Sequence, residues 1–175
     1  MSEPSSTSRS STSEVVTIVV SDEQTDVDID AHRWAELAGA VLQAEGVSGE
    51  LTLTFVDRDE IAALNAEHMG ERGPTDVLSF PLDSVDDSAG ALPGPVLLGD
   101  VVVCPAVASE AAQAHAGTLD DQLALLVVHG VLHVLGHDHA QPNETRLMRQ
   151  RERALLEQHH WHGPGPDPFT RGQRS

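Results

Sequence analysis

The sequence contains no lysine and no tyrosine, and Cys104 is its one cysteine. A lone thiol cannot close an internal disulfide, so nothing points to an oxidising compartment. Without lysine, all 10 basic side chains are arginines, set against 28 carboxylates for a formal net charge of −18. A field of that sign repels phosphate and argues against a generic nucleic-acid binder, whose non-specific affinity comes from neutralising phosphates. Aromatics are scarce as well: three phenylalanines and two tryptophans leave little for a broad base-stacking platform. Long apolar runs are missing. The longest, LALLVVHGVLHVLG at 123–136, is broken by two histidines and is too short to span a bilayer. The opening MSEPSSTSRSSTSE lacks the cationic start and apolar stretch of a secretory signal. The expectation is a soluble, cytoplasmic protein with no membrane partner.

The charge that is present is unevenly spread. Asp22, Glu23, Asp26, Asp28 and Asp30 crowd one early segment, and Asp83, Asp86 and Asp87 crowd a Gly/Pro/Ser-containing loop. Arg146, Arg149, Arg151 and Arg153 fall together near the other end. Such a cluster reads either as a solvated helix face or as a local basic strip.

With 175 residues the chain is long enough for one domain with a real hydrophobic core. Residues 1–13 and 162–175 lack apolar periodicity and read as disordered tails, leaving a single domain over 14–161. VVTIVV at 15–20 is β-branched, and LTLTFV at 51–56 alternates, with Leu51, Leu53 and Phe55 on one face; both predict strands. Between them Ile29, Trp34, Leu37, Ala38, Val41 and Leu42 recur at helical spacing, with Asp30 as N-cap and Gly46 as stop. Further helices are expected from Asp59 to about His68, from Pro105 to Gly117, from Asp120 to Leu135 and from Pro142 to His159. TDVLSF and LLGDVVVC add two more strands. Strands interleaved with helices predict an α+β (mixed α/β) fold, a small mixed four-stranded sheet flanked by helices.

The segment HGVLHVLGHDH, residues 129–139, holds the chemistry. His129 and His133 are four residues apart, so on a helix they stack on one face within reach of a common ion. Gly136 can take a left-handed conformation, end the helix and let the chain turn back to bring His139 to the same ion. Three neutral imidazoles make a catalytic zinc shell with an open fourth position, on a zincin-like metal helix, with one zinc per chain. His137 is expected to face solvent or substrate. Asp138 either orients an imidazole or caps the turn. Cys104 reads as a small buried apolar residue rather than a ligand. The spacing H-x-x-x-H-x-x-G-x-x-H matches that of the metzincin proteases, but Gly130 stands where those enzymes carry the glutamate that serves as general base. A peptidase reading lacks its base there.

Four blocks in order, LN at 64–65, PTDVLSFP at 74–81, LGDVVVC at 98–104 and the histidine motif itself, resemble the YbeY endoribonucleases over about residues 51–157. The resemblance implies zinc ligation by His129, His133 and His139. It implies cleavage of single-stranded RNA, maturation of the small-subunit ribosomal RNA 3′ end and a part in ribosome quality control. It also implies ribosomal RNA or the ribosome, with ribosomal or assembly proteins, as partners, and no DNA. One departure stands out: where the family shows an aromatic followed by an arginine after LN, this chain has His68 and Met69.

Two further classes stay open on sequence grounds. A non-catalytic assembly factor with a structural zinc would need a fourth protein ligand such as Asp138 or Cys104; a metallopeptidase would need a base that Gly130 cannot supply. Within the nuclease reading the attacking group is either a zinc-activated water or the RNA's own 2′-hydroxyl, and the sequence names no catalytic base.

Overall fold

The structure is a computed structural model, and it describes residues 15–82, 96–114, 118–137 and 142–165. Four strands, β1 (Val16–Asp22), β2 (Gly49–Phe55), β3 (Val77–Pro81) and β4 (Leu97–Val103), form one sheet in the order β1-β2-β4-β3. β1, β2 and β4 run parallel, and β3 lies antiparallel to β4 at the edge. The α-helices are α1 (Ala31–Ala44), α2 (Arg58–Leu64), α3 (Pro105–Ala114), α4 (Leu119–Val134) and α5 (Pro142–His159). This is the mixed four-stranded sheet flanked by helices that the sequence pattern predicts.

Local chemistry sets the helix ends. The Arg33 N–H donates to the Asp30 side chain (3.4 Å), opening α1, and the Asp121 N–H donates to Thr118 Oγ1 (3.0 Å), opening α4. Asp120 and Asp121 in the first turn of α4 face the positive end of its macrodipole. α4 closes with paired bonds, Gly136 N–H to the His133 carbonyl and His137 N–H to the Leu132 carbonyl (both 3.0 Å), with Gly136 at φ +100°. Only a left-handed residue permits that closure, so the glycine expected to turn the chain does so.

One face of the sheet carries the main core. Leu51, Leu53 and Phe55 of β2 and Val101 and Val103 of β4 meet Trp34, Val41 and Leu42 of α1 and Val127 and Val131 of α4. Met148, Leu155 and Leu156 of α5 complete it. On the other face Val56, Ile61, Leu78, Val102 and Cys104 form a smaller cluster. β4 is therefore buried on both sides, which is why VVVC reads as a continuous apolar run rather than an alternating one.

One helix differs from the pattern. The helix expected through His68 is α-helical only to Leu64 and widens into a π turn over Asn65–Met69. The turn tucks Asn65 inward at 6% exposure, where its Nδ2 donates to the Gly73 carbonyl (3.0 Å). α3 is described as far as Ala114, and residues 115–117, where the sequence pattern continues the helix to Gly117, lie outside the described residues. So do the N-terminal tail over 1–13, the acidic loop over 83–95 and residues 166–175 of the C-terminal tail. Residues 162–165 run back along α5: Gly163 N–H donates to the Glu157 carbonyl (2.9 Å), and Arg153 Nη2 donates to the Gly165 carbonyl (3.3 Å). Among the described residues, no helix is long and apolar enough to cross a membrane.

Candidate metal centre

From Asp121 to Val134, α4 is buried at every position except each fourth one: Asp121, Leu125, His129 and His133. A period of four on a 3.6-residue helix makes a nearly straight seam, so the two imidazoles share the one strip of this helix that solvent or substrate can reach. Their ring centroids are 4.8 Å apart with planes inclined at 67°. The sequence-predicted pair is thus brought together.

The other ring nitrogen of His129 is held from behind. Glu152 of α5 places Oε2 2.5 Å from His129 Nδ1, and Glu152 is only 4% exposed. A carboxylate only accepts hydrogen bonds, so an ionised Glu152 calls for an Nδ1–H donor on His129 and leaves Nε2 for a metal. Carboxylates behind histidine ligands in this way are a recurring feature of zinc sites. Sequence reading considered Asp138 for this role and missed Glu152. A signal was present, because Glu152 falls on the stripe 148, 152, 155, 156 that α5 turns to the core, where a charge is out of place unless paired.

Gly130 has a packing reason. A Cβ built there would lie 2.6 Å from Val101 Cγ1 on β4 and 3.3 Å from Ser79 Oγ on β3. Ser79 Oγ in turn donates to the Gly130 carbonyl at 3.1 Å. The position faces the sheet, away from the seam, so no side chain of any kind fits where the metzincins place their glutamate.

Past Gly136, His137 does not simply face solvent. Its Nε2 is 3.3 Å from Glu45 Oε1, and Arg151 Nε donates to Glu45 Oε2 at 2.5 Å. Glu45, at the end of α1, therefore ties the turn after α4 to α5. Asp138 and His139 lie outside the described residues. Among the described residues no group of three or more His, Cys, Asp or Glu side chains is arranged to hold a metal ion. What is described fits one: two imidazoles one turn apart, one of them oriented by a buried carboxylate, are a donor set suited to a borderline-soft cation such as zinc. Cys104 is fully buried in the smaller apolar cluster, and burial pushes its thiol above the usual value, as expected of a packing residue.

The arginines of α5 divide. Arg151 binds Glu45, and Arg153 pairs with Glu157 (3.1 Å), whereas Arg146 is exposed and donates to Asn143 Oδ1 (2.7 Å). At the π turn, His68 packs edge-on against Phe80 of β3, with ring centroids 5.1 Å apart. Met69 next to it is 46% exposed.

A family model described as endoribonuclease YbeY matches residues 19–160. Curated relatives named endoribonuclease YbeY include one from Thermobifida fusca, 44% identical over 133 residues, covering 74% of this chain and 86% of the relative. One from Salinispora tropica is 45% identical over 137 residues and covers 74% of this chain and 87% of the relative. A solved solution structure from Thermotoga maritima superposes with a TM-score of 0.58 at 26% identity, covering 83% of this chain and 90% of that one. With a family match across most of its length and relatives of this similarity, the chain belongs to the endoribonuclease YbeY family.

Proposed function

We propose that residues 14–161 form a single zinc-dependent endoribonuclease unit that cuts single-stranded RNA in the cytoplasm. Its substrate is ribosomal RNA, at the 3′ end of the small-subunit species, and it contributes to ribosome quality control alongside ribosomal or assembly proteins. The observation that carries this reading is the His129–His133 seam with Glu152 behind it, in a chain of an endoribonuclease family. His129, His133 and His139 hold the metal in this reading. When bound there, zinc supplies Lewis acidity, polarising a phosphoryl oxygen and acidifying water to a pKa of about 7.

The chain's own residues do the rest by placement. Glu152 keeps the Nδ1 proton of His129. Gly130 lets α4 lie against β4, which fixes where both imidazoles stand. The Gly136 turn, tied by His137 to Glu45, ends α4 and redirects the chain just past the two imidazoles. Single strands suit such a site because a flexible strand can bend a phosphate into a recessed position that a stiff duplex cannot reach. With five aromatic side chains other than histidine in all, docking on the ribosome supplies more of the specificity than base stacking does.

Zinc-loaded protein incubated with matched single-stranded and duplex RNAs tests the reading. Cleavage confined to the single strand, and abolished by His133→Ala, is the expected result. Zinc-loaded protein that binds ribosomal RNA without cutting any strand would favour the assembly-factor alternative instead.

A further inference from the structure

We propose that Glu152 is a positioning residue of the metal centre: it holds His129 in the Nδ1–H tautomer, so that Nε2 is the nitrogen offered to the ion. The inference rests on the metal-site reading above. Glu152 occupies a core position of α5 beside Met148, Leu155 and Leu156, all of them buried. Burying a carboxylate is costly unless it is paired and hydrogen-bonded, and an apolar side chain would fill this stripe at less cost. Packing therefore does not explain the residue, whereas its bond to His129 Nδ1 does.

The geometry also limits what Glu152 can do. It faces Nδ1, on the opposite side of the ring from the nitrogen that would meet the metal, so it acts through His129 and does not reach a reacting phosphate. A carboxylate there makes the ring a better donor to a cation, restricts its rotation and excludes the tautomer that would present a proton to the metal.

The test is zinc affinity of the full chain, stripped of metal and titrated against a chromophoric chelator. In Glu152→Ala the dissociation constant should rise about 10–100-fold. Glu152→Gln should lose less, because the amide oxygen accepts the same hydrogen bond. In a His129→Ala background, Glu152→Ala should have no further effect. Wild-type zinc affinity in Glu152→Ala, with binding lost in His133→Ala, would overturn the inference and leave the site reading standing. Zinc retained by both variants would overturn the two together. Should Glu152→Ala fail to fold, long-range ¹H–¹⁵N spectra of metal-free wild type decide the question. An Nδ1–H tautomer at His129 is expected, and an Nε2–H tautomer would refute the role.

Discussion

Replacing Gly130 with alanine separates two ideas about this glycine by the sign of a stability change. In an exposed helix interior, Gly→Ala stabilises by about 1 kcal/mol, through backbone entropy and propensity. Here the new methyl would stand 2.6 Å from Val101 Cγ1, with the Val101 Cγ2 at 3.4 Å. Val101 is fully buried and β-branched, so its side chain has little freedom to retreat. Forcing an extra carbon into a packed core costs about 1–3 kcal/mol. Setting this against the propensity gain leaves a net loss of about 1 kcal/mol, and up to about 2 if neither strand nor helix yields. For a chain of this size that lowers Tm by about 2–4 °C per kcal/mol. The displaced helix carries His129 and His133 with it, so zinc affinity should fall in the same variant. Urea unfolding of the metal-free protein, followed by far-UV circular dichroism, reads the first effect, and chelator competition reads the second. A Gly130→Ala protein more stable than wild type would show that α4 does not press on β4 at this point.

Two other perturbations address different parts of the molecule. Burial alone would raise the Asp121 carboxyl, but hydrogen bonds from His160 Nε2 (2.9 Å) and Trp161 Nε1 (2.8 Å), with the charge of His160, carry it below its ordinary value of 3.8. A depressed folded pKa contributes stability that is present above that ordinary value and is lost as pH falls through the folded one. The urea midpoint should therefore drop on acidification below about pH 4, and Asp121→Asn should flatten that part of the profile; identical acid limbs would refute the clasp. On α5, Arg146→Glu should weaken single-stranded RNA binding and reduce the slope of log affinity against log salt by about one. An unchanged slope would make Arg146 a solvated residue and nothing more.

What the sequence made legible was local. Asp30 and Gly46 bound α1, the alternation of Leu51, Leu53 and Phe55 sets β2, and the four-residue spacing of His129 and His133 holds because a helix converts spacing directly into a shared face. The less legible features join distant segments. Glu152 is 23 residues from His129, and Glu45 is 92 and 106 residues from His137 and Arg151, so no periodic pattern links them. The stripe position of Glu152 was the available clue. Gly130 shows the same division: the sequence shows which side chain is missing, and the approach of Val101 and Ser79 shows why none fits. The π turn at Asn65–Met69 was hidden because a helical pattern of apolar residues does not distinguish i→i+4 from i→i+5 bonding.

The most direct test of a three-histidine metal centre with an open position is the zinc X-ray absorption edge of the purified chain, read with its metal content. About one zinc per chain is expected, bound by three imidazoles and one light atom, with no sulfur and with the metal lost in His133→Ala. A zinc–sulfur distance near 2.3 Å, or a full zinc complement in His133→Ala, would contradict it.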